Sequence, residues 1–170
     1  MAGIYKKPKN ELAHPKSPKD LKIGIVVSLW NDEITDVLKK DCQKTLIEAG
    51  ITSENLVHAN VPGAFELPFG ARTLLSSMKL DAVICLGCVI RGATPHDDYI
   101  NTAVANGITQ LSLASGKPVI YGVLTVLNEA QAVERASGPI GRKGVEAANA
   151  ALAMIGLKET FLEPSTKIGF

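Results

Sequence analysis

Residues 81–100 read DAVICLGCVIRGATPHDDYI, and this stretch decides the fold. Residues 81–90 are almost entirely apolar, which is typical of a strand buried on both faces of a parallel sheet. A short polar turn follows. Thr94 as N-cap and Pro95 at the first helical position then predict that a helix begins at once. A strand and a helix joined by so short a turn indicate an α/β unit, whose ligands bind at the carboxyl ends of the strands.

The same alternation of strand and helix recurs along the chain. Apolar runs predict further strands at 22–29, 56–61 and 119–126. Helical spacing of apolar residues predicts helices at 32–49, 65–77, 129–136 and 143–155, with Gly156 as the cap of the last. Four alternations predict an α/β protein with a four-stranded parallel sheet and helices on both faces.

The length of 170 residues predicts one domain. Residues 1–21 carry lysines and prolines without strand or helix periodicity, so we expect a solvated N-terminal arm rather than a nucleic-acid tail. The α/β domain is expected at 22–157. Residues 158–170 are expected to form an irregular C-terminal tail.

The composition excludes several classes of partner. A net charge of +1 and 5% aromatic residues argue against nucleic acid, and no apolar run approaches the roughly 20 residues that cross a bilayer. Three cysteines and no secretory segment predict a cytoplasmic protein. Cys85 and Cys88 form a C-x-x-C pattern, but residues three apart in a strand point to opposite faces, so we expect neither a redox bridge nor a metal site.

Functional residues are expected where the strands end. Trp30 follows the first strand, either as a stacking wall for a flat ring or as a cap on the core. Glu66, in the proline-stiffened loop 61–68, either bonds ligand hydroxyls or favours the positive end of a helix. The turn at Thr94 offers free N–H groups to an anion, with Arg91 and Arg135 as candidate cations.

His96 is either a plain polar residue in the first turn of a helix or a proton-transfer group, because an imidazole both gives and takes a proton near neutral pH. The glycine-rich stretch 138–144 is a second candidate cradle for phosphate, although it lacks P-loop spacing. The residues themselves therefore predict a site for a small anionic or phosphorylated ligand, with an aromatic wall and one acid–base histidine.

At these residues the chain resembles the lumazine synthase family of riboflavin biosynthesis. The resemblance covers 22–157 in order and is carried by residues 61–68, 87–96, 122–125, 129–136 and 143–148. It implies a flavodoxin-like three-layer α/β/α fold and homopentamers, which in some members assemble into decamers or icosahedral shells. The implied activity is that of a transferase without metal or organic cofactor. It condenses 5-amino-6-(D-ribitylamino)uracil with 3,4-dihydroxy-2-butanone 4-phosphate to 6,7-dimethyl-8-ribityllumazine, phosphate and water.

The resemblance also implies which residues hold the pyrimidine substrate. Trp30 is implied to stack on the ring, and Lys143 to approach it from the last helix. The remaining implied contacts to the ring or its ribityl chain are Ala64, Phe65 and Glu66, together with backbone groups of Cys88, Val89 and Ile90.

The implied phosphate site and catalytic groups lie further along the chain. Ala93 and Thr94 are implied to receive the phosphate together with Arg135. Tyr121 is implied to close the pocket from a neighbouring subunit. His96 is the implied proton carrier, and Glu146 lies at the position of its acidic partner.

The chain departs from the usual family pattern at Asp97, Arg142 and the turn Gly138-Pro139-Ile140. Two alternatives stand beside a lumazine synthase. One is an archaeal-type riboflavin synthase, which dismutates two lumazines. The other is a ligand-binding or shell-forming protein without turnover.

Overall fold

The computed structural model describes residues 12–139 and 141–162. Its strands are β1 (Ile23–Ser28), β2 (Leu56–Val61), β3 (Ala82–Ile90) and β4 (Val119–Val126). Its helices are α1 (Asp32–Glu48), α2 (Leu67–Ser77), α3 (His96–Ser115), α4 (Glu129–Ser137) and α5 (Lys143–Leu162). Short 3₁₀ turns at Pro18–Asp20, Ser53–Asn55 and Ala64–Glu66 precede β1, β2 and α2. The predicted strands and helices are all present.

The four strands form one parallel sheet in the order β2-β1-β3-β4. The chain starts in the interior at β1, adds β2 on one side and then crosses to place β3 on the other. Connections that leave β1 and β3 in opposite directions open a crevice at the carboxyl ends of these two strands. This topology confirms the three-layer, flavodoxin-like α/β/α fold.

Two apolar cores flank the sheet. One lies under α1, α4 and α5 and includes Leu38 and Cys88, and the other lies under α2 and α3 and includes Cys85. Cys85 and Cys88 therefore occupy opposite faces, as their spacing predicts. Burial raises the pKa of Cys85 to about 12 and that of Cys88 to about 11, so both are packing residues and not nucleophiles at neutral pH. Among the described residues no group of His, Cys, Asp or Glu side chains could hold a metal ion.

The start of α3 differs from the prediction. The helix begins at His96 with Pro95 as N-cap, one residue later than Thr94 would place it. Asp97, in the first turn of the helix, forms an ion pair in which its Oδ2 lies 3.3 Å from Arg91 Nε. This contact directs the carboxylate towards the β3–α3 turn and away from the backbone N–H groups of its own helix.

The end of α5 also differs, since the prediction of a cap at Gly156 is wrong and the helix continues to Leu162. Gly156 lies inside the helix, and the chain near His14 packs directly against it, which leaves no room for a side chain. A Cβ at this position would lie 2.7 Å from the His14 carbonyl carbon. The predicted boundary at 157/158 thus falls within α5, and residues 163–170 lie outside the described residues.

Residues 12–21, which belong to the expected N-terminal arm, are mostly exposed to solvent but lie against the domain. This segment packs on α5, where the backbone N–H of Lys16 donates to Glu159 Oε2 at 2.9 Å, and it ends at the buried Leu21. Residues 1–11 lie outside the described residues. No helix in the described part of the chain has the length and apolar character needed to span a membrane.

Candidate active site

A cavity of about 540 Å³ opens at the carboxyl ends of β1, β2 and β3. It lies at the crevice between β1 and β3 that the strand order creates, which is where open α/β sheets bind ligands. Many of the sequence-predicted site residues line it: Trp30, Ala64, Phe65, Glu66, Cys88, Val89, Ile90, Thr94 and His96. Asn31, Gly63, Gly92, Asp97 and Ile100 complete the lining.

Trp30 forms an open aromatic wall of the cavity. Its side chain is 71% exposed, and its backbone N–H donates to the Pro62 carbonyl at 3.1 Å. A Cβ on Gly63 would lie 3.3 Å from Trp30 Cε3, so the absence of a side chain at Gly63 lets the indole lie against the loop. This exposure favours the stacking-wall alternative over the core cap, since the ring is available to a ligand.

Asn31 lines the cavity but is not among the predicted site residues. It adopts a left-handed conformation (φ 58°), which asparagine tolerates better than most residues, and it makes no side-chain cap. Its Nδ2 instead donates to the carbonyl oxygen of Cys88 at 3.0 Å. The available signal was an asparagine directly after an apolar strand and a tryptophan, at the sheet edge where ligands bind.

Glu66 is held in place by the loop it belongs to. Its Oε2 accepts a hydrogen bond at 2.9 Å from the backbone N–H of Gly63, so the carboxylate caps the 3₁₀ turn at Ala64–Glu66. This contact corresponds to the alternative in which Glu66 favours the positive end of a helix. The same arrangement leaves Glu66 on the cavity lining beside the exposed ring of Phe65.

The β3–α3 turn carries the predicted anion seat and the histidine. The backbone N–H of Arg91 donates to the Val126 carbonyl at 2.9 Å, which anchors the start of the turn to the end of β4. Thr94 and His96 are exposed and line the cavity, and Ala93, which precedes Thr94, is exposed but is not among the lining residues. His96 is the first residue of α3, at the end of the helix where backbone N–H groups lack the usual partner four residues earlier.

The remaining predicted site residues do not line this cavity. Tyr121 lies on β4 and packs against the core beneath α2 and α3, where burial raises its pKa. Arg135 lies in the last turn of α4, and Lys143 and Glu146 lie in the first turn of α5. These two helices pack on the opposite face of the sheet from α2 and α3.

Arg135, Lys143 and Glu146 form a separate group, here called the α4–α5 cluster. Lys143 Nζ lies 3.5 Å from Glu146 Oε2. A Cβ on Gly141 would lie 3.1 Å from Arg135 Nε and 3.4 Å from Glu146 Oε1, so Gly141 sits between the two side chains. One copy of the chain thus presents two separate halves of the predicted site.

Arg142 fixes the start of α5 to α1. Its Nη2 lies 2.6 Å from Asp41 Oδ1 and its Nε 3.0 Å from Asp41 Oδ2, a two-point arrangement that holds both groups in one plane. Gly144 lies two residues further along the chain, and its Cα is so close to the Leu38 carbonyl that a side chain would collide with it. These contacts set the position of the α4–α5 cluster relative to the sheet.

Comparison with known proteins gives one consistent result. The family model described as 6,7-dimethyl-8-ribityllumazine synthase matches residues 20–159. A protein of that name from Porphyromonas gingivalis is 50% identical over 140 residues, which cover 82% of this chain and 87% of the relative.

Two further relatives carry the same name. The protein from Cytophaga hutchinsonii is 52% identical over 132 residues, covering 78% of this chain and 83% of the relative. The protein from Parabacteroides distasonis is 48% identical over 136 residues, covering 80% of this chain and 85% of the relative. Since the family model and the relatives span almost the whole described structure, the chain belongs to the 6,7-dimethyl-8-ribityllumazine synthase family.

Proposed function

We propose that this protein is the transferase that condenses 5-amino-6-(D-ribitylamino)uracil with 3,4-dihydroxy-2-butanone 4-phosphate, forming 6,7-dimethyl-8-ribityllumazine, phosphate and water. One observation carries the proposal. A single cavity brings together an exposed indole (Trp30), a fixed carboxylate (Glu66) and an imidazole at a helix start (His96). A flat ring, a polyhydroxyl chain and a phosphate ester need these three kinds of group.

The pyrimidine occupies the part of the cavity between Trp30 and the end of β3. The indole stacks on the ring, and backbone groups of Cys88, Val89 and Ile90 bond its edge. Ala64, Phe65 and Glu66 lie along the ribityl chain, where the second lone pairs of a carboxylate held by Gly63 accept bonds from hydroxyls. Asn31 supports this wall because it holds the Cys88 carbonyl.

The butanone phosphate lies at the start of α3. Backbone N–H groups around Ala93 and Thr94 point towards the phosphate, and the positive end of the helix dipole favours a negative charge there. His96 is then next to the reacting atoms. The amine attacks the ketone, water leaves as the imine forms, phosphate is eliminated, and ring closure releases a second water. An imidazole serves each of these proton transfers near neutral pH.

A second copy of the chain completes the site, with Tyr121 and the α4–α5 cluster facing the cavity of its neighbour. The support is that one copy holds these residues away from its own cavity, on β4 and on the far face of the sheet. The face formed by α2 and α3 also exposes Phe69 (70%), Tyr99 (74%) and Leu113 (79%), which is typical of surfaces that bind another protein. The proposed assembly is a homopentamer, alone or joined to further pentamers.

The proposed reaction uses no metal or organic cofactor, since one imidazole and the orientation of two substrates supply the chemistry. Orientation of two reactants contributes up to about 7–11 kcal/mol in favourable cases. The proposed location is the cytoplasm, in agreement with three free cysteines that are all buried.

The test is a steady-state assay of the purified chain with the pyrimidine and the butanone phosphate, followed by the absorbance of the lumazine product. Turnover that needs both substrates is expected. Conversion of the lumazine alone to riboflavin would instead show the archaeal-type riboflavin synthase, and binding without turnover would show a ligand-binding protein. In a parallel assay, Arg135→Ala should raise KM for the phosphorylated substrate, and an unaltered KM would contradict the role of Arg135.

A further inference from the structure

Arg91 binds two successive carboxylates at the start of α3. Its Nε lies 3.3 Å from Asp97 Oδ2, and its Nη2 lies 3.2 Å from Asp98 Oδ2. The backbone of Arg91 is itself anchored, because its N–H donates to the Val126 carbonyl at the end of β4. Arg91, whose backbone is fixed to the sheet, therefore also holds the first turn of α3.

The gripped turn carries the residues of the proposed chemistry. His96 immediately precedes Asp97, and both line the cavity with Thr94. Pro95, the N-cap residue of α3, makes no side-chain cap to the helix backbone. The two ion pairs of Arg91 therefore take over part of what a capping residue usually does, which is to hold the first turn in one orientation.

Arg91 also changes the electrostatics of the anion seat. Asp97 and Asp98 are one and two residues beyond His96, and Asp97 is only 11% exposed, so its charge is poorly screened by solvent. Two uncompensated carboxylates would repel a phosphate bound at Thr94. The guanidinium offsets part of that charge. Because it is held by two carboxylates, it does not itself bind the phosphate.

We infer that Arg91 is a positioning residue of the condensation. It holds the turn that carries His96, and it offsets the two carboxylates beside the phosphate. This inference rests on the proposed function. Kinetics can measure these two effects of Arg91 separately. The electrostatic effect acts on capture of the phosphorylated substrate, and the orientation effect acts on turnover.

The test compares Arg91→Met with the triple variant Arg91→Met/Asp97→Asn/Asp98→Asn, after thermal unfolding has shown that both are folded. Arg91→Met is expected to raise KM for the butanone phosphate about tenfold and to lower kcat severalfold. The triple variant removes the uncompensated charge, so its KM should return to within about twofold of the original, while kcat stays low. Lys44→Met, which removes an exposed cation of α1 that pairs with the Glu48 carboxylate, is the matched control and should change neither constant.

Arg91→Lys keeps the charge but loses the planar two-point geometry, so it provides the second readout should Arg91→Met fail to fold. It is expected to keep KM within about twofold while kcat falls. Unchanged constants in an Arg91 variant, or a triple variant whose KM stays high, would overturn the inference while leaving the proposed function intact. A native chain that makes no lumazine would overturn the proposed function and this role together.

Discussion

Asn31 and Cys88 join the two strands between which the cavity opens. The Asn31 Nδ2 donates to the Cys88 carbonyl oxygen at 3.0 Å, across 57 residues of sequence. Asn31 follows β1, and Cys88 lies in β3 near its carboxyl end. The pairing of β1 with β3 ends at Val27 and Leu86, so this side-chain bond continues the connection where the backbone ladder ends.

Replacing Asn31 should weaken both the fold and the pyrimidine site. Asn31→Ala loses one hydrogen bond and places alanine, which tolerates the left-handed region less well than asparagine, at φ 58°. We therefore expect a loss of about 1–3 kcal/mol in the free energy of unfolding. KM for the pyrimidine should rise as the Cys88 carbonyl loses its support. Asn31→Gly removes the bond but tolerates the backbone, so it should be the less destabilised variant in urea unfolding. Identical losses in the two variants would show that the left-handed conformation has no part in the effect.

Gly144→Ala should destabilise the protein, although alanine is normally the better helix former by about 1 kcal/mol. The new Cβ would collide with the Leu38 carbonyl, and over-packing of this kind costs about 1–3 kcal/mol. Gly92→Ala is the matched control, because a Cβ there meets nothing within 4 Å, and its unfolding free energy should stay within about 0.5 kcal/mol of the original. A gain in stability for Gly144→Ala would contradict the close packing of α5 on α1.

Alkaline pH should lower stability through the buried thiols. Burial raises the pKa of Cys42 and of Cys85 from 9.0 to about 12, so above pH 9 the unfolded chain loses protons that the folded chain keeps. Stability contributed by each thiol is therefore present below pH 9 and is lost as the pH rises towards 12. Between pH 9 and pH 10 each thiol should remove about 1 kcal/mol.

The check is urea unfolding at pH 9 and pH 10 for the native chain and for Cys42→Ala. Between pH 9 and pH 10 the free energy of unfolding of Cys42→Ala should fall by about 1 kcal/mol less than that of the native chain, because one buried thiol is gone. This difference does not depend on how much the substitution destabilises the protein at pH 9. Equal pH dependence in both proteins would mean that Cys42 does not stay protonated in the folded state.

The elements could be predicted because apolar periodicity is a local signal. β2 and β4 have the predicted bounds, since buried runs of β-branched residues end sharply at polar turns. The end of α5 could not be predicted in this way. Gly156 has the local character of a helix cap. It lies inside the helix, however, and the backbone near His14 occupies the space that a side chain would need.

The site was predictable only in part, for a similar reason. Trp30, Glu66 and His96 each follow a strand, and parallel strands bring their carboxyl ends to one edge. The hydrogen bond of Asn31 and the ion pairs of Arg91 depend on side-chain directions that spacing does not set. Neither does spacing reveal that Tyr121 and the α4–α5 cluster lie away from the cavity of their own chain.

In the proposed assembly, one chain supplies the cavity with His96 and a neighbouring chain supplies Arg135. The most direct test of this arrangement is the lumazine synthase rate, at butanone phosphate concentrations well below KM, of oligomers formed by coexpressing His96→Ala and Arg135→Ala subunits in equal amounts, relative to each variant alone. In a ring of randomly mixed subunits, about one quarter of the interfaces pair an intact His96 with an intact Arg135. The mixed oligomers should regain about a quarter of the native rate, well above the mean of the two parents. A rate equal to that mean would contradict a site shared between two copies.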